Sequence, residues 1–96
     1  TNLARMTLER VQHDYSSFDI TSTVGTYNKT VCQTTECQNL YEVTINNIPY
    51  NVEIDVQRQS ANEVLVKLFP VKVTIKYEMN NKVRTTAVEG YVKNAN

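Results

Sequence analysis

The 96-residue chain has no tryptophan, two glycines, two prolines, two cysteines and a single histidine. Each scarcity removes a class of function. A phosphate-cradling loop needs several glycines within one turn, and Gly25 and Gly90 stand far apart. Gly25 reads as a bend and Gly90 as part of a β-bulge at Glu89-Gly90, where the alternation of the last strand changes. Structural zinc is generally held by four Cys or His ligands, and only His13 could join the two cysteines. Asp19, Asp14 and Glu9 lack the Asp-x-Asp-x-Asp-Gly order of a calcium loop. No stretch is long and apolar enough to span a bilayer, and no signal peptide is visible. Neither sign of charge predominates: ten basic and ten acidic residues are spread along the chain. That balance argues against a nucleic-acid or anionic-membrane footprint.

The two cysteines, Cys32 and Cys37, enclose Gln33-Thr34-Thr35-Glu36. A close pair around polar, loop-forming residues reads most simply as a small disulfide ring, with two free thiols or a metal pair as the alternatives. Closing such a ring contributes about 2 kcal/mol in the chain-entropy account. A disulfide implies an oxidising compartment such as the periplasm or a cell surface. Export then requires a segment upstream of Thr1. Asn28-Lys29-Thr30 also matches the N-glycosylation tripeptide.

Residues 1–18 form an amphipathic helical pattern. Leu3, Ala4, Leu8, Val11, Tyr15 and Phe18 share one face, with Arg5, Glu9, Gln12 and His13 opposite. No Ser/Thr/Asp cap with a matching Glu opens this helix, and the stripe is already in phase at Leu3. The expectation is a helix that begins further upstream.

Beyond Phe18 the period changes to two. Residues 19–27 read as a first strand or an irregular connector, 28–39 as a polar loop, and 40–45 as a strand. Asn46-Asn47-Ile48-Pro49 is a turn. Tyr50, Val52, Ile54 and Val56 then alternate against Asn51, Glu53, Asp55 and Gln57. Residues 58–62 form a polar turn, and Pro70 interrupts the apolar run that starts at Val64. Val71, Val73, Ile75, Tyr77 and Met79 alternate with Lys72, Thr74, Lys76 and Glu78. Asn80-Asn81 suits a hairpin turn, and a last strand runs from Lys82 to about Val92. The expected architecture is α+β: one domain over residues 1–96, with the N-terminal helix packed on an antiparallel sheet of four to five strands.

No catalytic constellation emerges. His13 and Asp14 are adjacent, and neighbouring helical residues point about 100° apart. Ser16-Ser17 lies close by without a Gly-x-Ser-x-Gly elbow, and the serines read as a helix end. No cofactor or small-molecule substrate is expected. Lys67, Lys72, Lys76 and Lys82 with Tyr77 invite a basic, aromatic surface for DNA; the alternative is a strand face whose lysines discourage edge pairing. Tyr41 and Tyr50 read equally as partner contacts or as half-buried strand tyrosines.

An amphipathic helix laid on an antiparallel sheet in an exported, disulfide-bonded domain resembles the globular part of type IV pilins and pseudopilins. Asn2-Leu-Ala-Arg-Met-Thr-Leu-Glu-Arg-Val11 resembles the segment just beyond the apolar half-helix of minor pilins. Tyr50–Val56, Val71–Tyr77, the Asn80-Asn81 turn and Val88–Val92 are similar to their C-terminal hairpin. Minor pilins of the MSHA type and the I-type minor pseudopilin of type II secretion are the nearest groups. Many major pilins close a large C-terminal disulfide loop, so the tight ring here fits a minor component better.

The resemblance implies a non-catalytic subunit that helps prime or cap a filament. Its partners would be other pilin or pseudopilin subunits, and a missing N-terminal helix would anchor the precursor in the inner membrane. The location would be the bacterial cell envelope, in the periplasm or on an extracellular pilus. Leu3, Ala4 and Leu8 are then the expected subunit interface, with Val11, Tyr15 and Phe18 facing their own sheet. Two rivals remain: a pilus-tip module binding DNA through Lys67, Lys72, Lys76 and Tyr77, and an unrelated secreted inhibitor-like α+β domain. The latter would have a cystatin-like layout but lacks the Gln-x-Val-x-Gly loop.

Overall fold

The computed structural model describes residues 2–94; Thr1, at the head of the expected helix, lies outside them. The fold is α+β, with an N-terminal helix on a five-stranded antiparallel sheet. Helix α1 (Asn2–His13) carries Arg10 and His13 in its last turn, where cationic side chains suit the helix dipole. It is shorter than the 18-residue pattern suggests. Asp14 leaves helical geometry at φ −153°, and a 3-10 turn follows over Tyr15–Phe18. The cause is local competition for hydrogen bonds. The Ser16 and Ser17 hydroxyls donate to the two carboxylate oxygens of Asp14 at 2.7 and 2.6 Å. Asp19 closes the turn in left-handed geometry (φ 54°).

This rewinding aims the two aromatic rings differently. Tyr15 packs edge-on against Phe69 with centroids 5.4 Å apart, while Phe18 enters the core against Tyr41 at 5.5 Å.

Strands β1 (Gly25–Tyr27), β2 (Glu42–Ile45), β3 (Ile48–Val56), β4 (Leu68–Met79) and β5 (Lys82–Lys93) form the sheet. The order is β1-β3-β4-β5, and β2 joins the same flank of β3 as β1. β1 takes the C-terminal end of β3 (Gly25↔Val56), and β2 takes its N-terminal end (Ile45↔Ile48). Both Asn-Asn pairs make tight hairpin turns, but the first is shorter than the expected 46–49 turn: Ile48 and Pro49 already belong to β3, paired with Ile45 and Thr44. Asn46, Asn47, Asn80 and Asn81 all have positive φ, which asparagine tolerates better than most residues.

Residues 28–39 are not simply loop. Asn28 caps a 3-10 turn over Lys29–Val31, and Thr34 caps helix α2 (Thr35–Tyr41) through its hydroxyl and the Cys37 amide. α2 buries Cys37 and Tyr41 and delays the expected 40–45 strand to Glu42. Likewise 58–62 is no plain turn. Ser60 and Glu63 form a reciprocal capping box that starts the short helix α3 (Ala61–Leu65).

The last two strands correct two further expectations. Pro70 does not interrupt β4, and no bulge occurs at Glu89-Gly90, because β4 and β5 pair without a skip from Met79↔Lys82 to Leu68↔Lys93. The two-residue turn makes Met79↔Lys82 a hydrogen-bonded pair, so alternate pairs exchange hydrogen bonds from there. In that phase Pro70, opposite Tyr91, needs no N–H toward β5. Its carbonyl faces β3 and accepts the Gln57 amide at 2.9 Å.

The Glu89-Gly90 pattern change has another origin: Gly90 lies under α1. A Cβ there would fall 2.8 Å from Leu8 Cδ2. The missing side chain is what lets the helix approach the sheet. Gln12 Nε2 donates to the Tyr91 carbonyl on the outer edge of β5 at 3.0 Å.

The core lies between α1, α2 and one sheet face. It includes Ala4, Leu8 and Val11 from α1; Phe18; Ile54 and Val56 from β3; and Phe69, Val71, Val73 and Val92 from the long hairpin. Thr7, on the same side of α1, is buried as well.

Candidate functional site

The stripe on α1 is not divided between two jobs as expected. Ala4 is fully buried and Leu8 is 8 % exposed, both within this chain's own core, while Leu3 is half-buried against it. Gly90 of β5 lets the helix settle onto the sheet at Leu8, and the stripe is used up as far as Ala4.

The open apolar surface lies around the side of the helix. Two adjoining hollows share Met6, Arg10, Phe18 and Leu40. One, of about 530 Å³, runs down the helix past Glu9, His13, Asp14 and Ser17. The other, of about 260 Å³, continues toward Leu3, Val43 and Ile45. Together they form a groove between α1 and the α2–β2 edge. α2 supplies Leu40, the last residue before buried Tyr41, and β2 turns Val43 and Ile45 to the helix side of the sheet. Met6 is 52 % exposed and Ile45 43 %, so the groove floor meets solvent. Periodicity marked Leu3 but not Met6, Leu40, Val43 or Ile45. The signal for Met6 is an apolar residue one position off the stripe.

The polar residues of the groove do not assemble a reactive centre. Both serine hydroxyls are donated to Asp14, so neither is held by His13. Those bonds, Ser17 first and then Ser16, hold the Asp14 carboxyl below its ordinary value. The group is a turn lock on an exposed surface.

The wall behind the groove is closed by a buried hydrogen bond. Tyr41 donates its buried hydroxyl to the Phe18 carbonyl at 2.7 Å. Burial, helped by the nearby Asp19 carboxylate, pushes the phenol well above its ordinary value. Tyr41 thus fits neither reading, partner contact or half-buried strand tyrosine: it is fully buried and ends α2. Tyr50 instead packs against Tyr77, with ring centroids 4.7 Å apart and planes tilted by 45°.

Cys32 and Cys37 are joined as a disulfide, with Cα atoms 5.5 Å apart. The bond ties the Lys29–Val31 turn to the first turn of α2. Asp19 lies close to both sulfurs. A disulfide offers no thiolate, so this trio lacks the ligand chemistry zinc requires. The Asp19 carboxylate instead accepts the Gln33 amide at 3.1 Å. In the Asn28-Lys29-Thr30 tripeptide, the Asn28 side chain accepts the Thr30 amide at 2.9 Å.

The four residues considered for DNA do not meet. Lys72 and Lys76 face the open side of the sheet, whereas Tyr77 turns to the helix side. Lys67 precedes β4, roughly 25–30 Å along the strand from Lys76. The lysines also sit among acids: Lys72 lies between Asp55 and Glu89, and Lys76 Nζ is 3.8 Å from Glu53. The open face is a mixed-charge surface, not a basic track.

Comparison with family models, curated proteins and solved structures finds no match.

Proposed function

We propose that the domain is a non-catalytic assembly subunit of the minor pilin or pseudopilin type, acting through protein–protein contacts at the groove beside α1. The observation that carries this is the open apolar channel from Leu3 and Met6 to Leu40, Val43 and Ile45 on an otherwise closed core. Contiguous apolar surface of this kind suits a partner better than it suits solvent. Leu3 and Met6, rather than Ala4 and Leu8, are the helix positions that would face a neighbour. A helix laid along a sheet with its N-terminal turn at such a groove supports the pilin-like reading. In that reading an upstream half-helix would anchor the precursor in the inner membrane and later pack in the filament core.

The native gene's upstream segment tests this directly. A short leader ending in Gly before about twenty apolar residues is the expected result. An ordinary cleavable signal peptide, or a further soluble domain in that place, would refute the family assignment.

A further inference from the structure

A second apolar feature lies at the other end of the molecule. Val64, Leu65 and Val66 are 56, 80 and 60 % exposed, three consecutive apolar side chains held in solvent. Successive residues of a helical turn point about 100° apart, so the three side chains spread over about 200° around the end of α3. They make a convex tip, not a face. A flat protein surface would cover one side of such a tip, whereas a fluid layer closes around the whole turn.

The tip keeps its backbone donors to itself. The amides of Val64, Val66 and Lys67 donate to the carbonyls of Ser60, Asn62 and Val64. The Ser60 amide donates to Glu63 Oε1 at 2.6 Å, and the Glu63 amide donates to Ser60 Oγ at 3.2 Å. At the base, Gln59 Nε2 donates to the Leu68 carbonyl and the Asn94 amide to the Lys67 carbonyl, both at 2.7 Å. Donors satisfied within the turn are what acyl chains require, because lipid tails offer no acceptor. A protein partner would impose no such demand.

The charges around the tip suit an anionic surface. Arg58 and Lys67 flank it, both exposed, and neither is in an ion pair among the described residues. Residues 57–70 contain one acid, Glu63, and its carboxylate turns back onto the Ser60 amide. Lys93, opposite Leu68, shares a hollow with Asp14 and adds little. The stems of Arg58 and Lys67 can lie along the apolar layer while their charged heads meet phosphate. Charge balance over the whole chain excludes a broad basic footprint, but a shallow insertion needs only a local one.

We propose that the 64–66 tip inserts into the interfacial layer of an anionic lipid bilayer, with Arg58 and Lys67 at headgroup level. The inference goes beyond the assembly reading and uses a different part of the molecule. The tip follows Val56 at one end of β3, whereas Leu3 of α1 shares a hollow with Ile45, which pairs with Ile48 at the other end. Eight strand steps separate those ends, about 26 Å. The contact therefore needs neither the groove nor an upstream anchor.

The test is flotation of the full chain with vesicles of mixed phosphatidylglycerol and phosphatidylcholine, and with phosphatidylcholine alone. The wild type is expected to float with the mixed vesicles, less so as salt is raised. Leu65→Asp should bind at least about tenfold more weakly, the loss expected for one buried apolar side chain. Arg58→Gln should bind about fivefold more weakly, the loss for one cation at an anionic surface. The chain has no tryptophan, so Leu65→Trp places a single reporter at the tip. Its emission should shift to the blue on mixed vesicles and be quenched by brominated acyl chains. Leu65 is largely in solvent, so neither substitution touches the core, and circular dichroism checks that each variant is folded. Several results would overturn the proposal: a wild type that does not float, a Leu65→Asp variant that floats like the wild type, or a tryptophan emission that vesicles leave unchanged. Equal binding to phosphatidylcholine alone would overturn the anionic assignment. Leu65-dependent self-association without flotation would overturn the proposal too, making protein the occupant. The upstream gene segment is read independently, so failure of the family assignment and failure of this contact are separately visible.

Discussion

Gly90 lies where α1 crosses β5, and the space above it is already filled. A methyl group there would sit 2.8 Å from Leu8 Cδ2, 3.2 Å from Leu8 Cδ1 and 3.3 Å from Gln12 Nε2. Comfortable carbon–carbon contact is about 3.5–4.0 Å. Leu8 is buried and has little room to swing aside. Two effects oppose each other. Removing a glycine from a strand favours folding by about 0.5–1 kcal/mol, whereas overpacking a filled core costs about 1–3 kcal/mol. For Gly90→Ala the balance is a net loss of up to about 2 kcal/mol. For Gly90→Val the larger side chain should leave a net loss of about 1–2 kcal/mol. Leu8→Ala alone should cost about 2–4 kcal/mol. Combined, the valine fills part of the vacated space, and the double variant should be at least ~1 kcal/mol more stable than the sum of the two losses. Urea unfolding with unchanged m-value measures all four. Additivity within about 0.5 kcal/mol would refute the claim that Gly90 serves the helix crossing.

Tyr41→Phe leaves the buried Phe18 carbonyl without its donor, and a loss of about 1–2 kcal/mol is expected by thermal or urea unfolding. The same phenol gives a pH signature. Folded Tyr41 keeps its proton at a pH where the unfolded chain gives it up, so stability should fall above about pH 10; Tyr41→Phe should flatten that limb. Reducing the Cys32–Cys37 bond should cost about 2 kcal/mol, with amide exchange rising first in α2 and the Lys29–Val31 turn. Equal protection across reduced and oxidised protein would contradict this placement. Duplex or single-stranded DNA at low salt should produce no mobility shift, since Lys72 and Lys76 sit among Glu53, Asp55 and Glu89; a shift that weakens steeply with salt would refute this.

Period-two alternation identified β3 and β4 and their buried faces, because one face of each is covered and the other meets water. The Asn-Asn turns were equally legible, since few other residues tolerate two successive positive φ values. Short helices were the blind spot. α2 and α3 are seven and five residues long, too short for a helical period to declare itself. Their signatures were caps instead: Thr34 ahead of Cys37, and Ser60-x-x-Glu63. At Gly90 the pattern was visible but its cause was not, because a glycine under a crossing helix and a glycine in a bulge break alternation alike. The groove was only partly foreshadowed. Leu3 lay on the stripe, but Leu40, Val43 and Ile45 reach α1 only through the way β2 folds back on β3. Val64 to Phe69 read only as an apolar run ended by Pro70, whereas in the structure the capped turn of α3 leaves Val64, Leu65 and Val66 exposed.

Pro70 acts as a stop on the sliding of β3. It can accept the Gln57 amide but cannot return a hydrogen bond, so the β3–β4 ladder ends at Val56↔Val71. A two-residue slip would preserve the buried faces of both strands, and hydrophobic patterning alone would not forbid it. Extended past Gln57, however, the ladder would run through a position without a donor. One imino acid therefore penalises a slip that would carry more of β3 past Pro70, and the chain leaves the sheet after Gln57, a few residues before α3 begins.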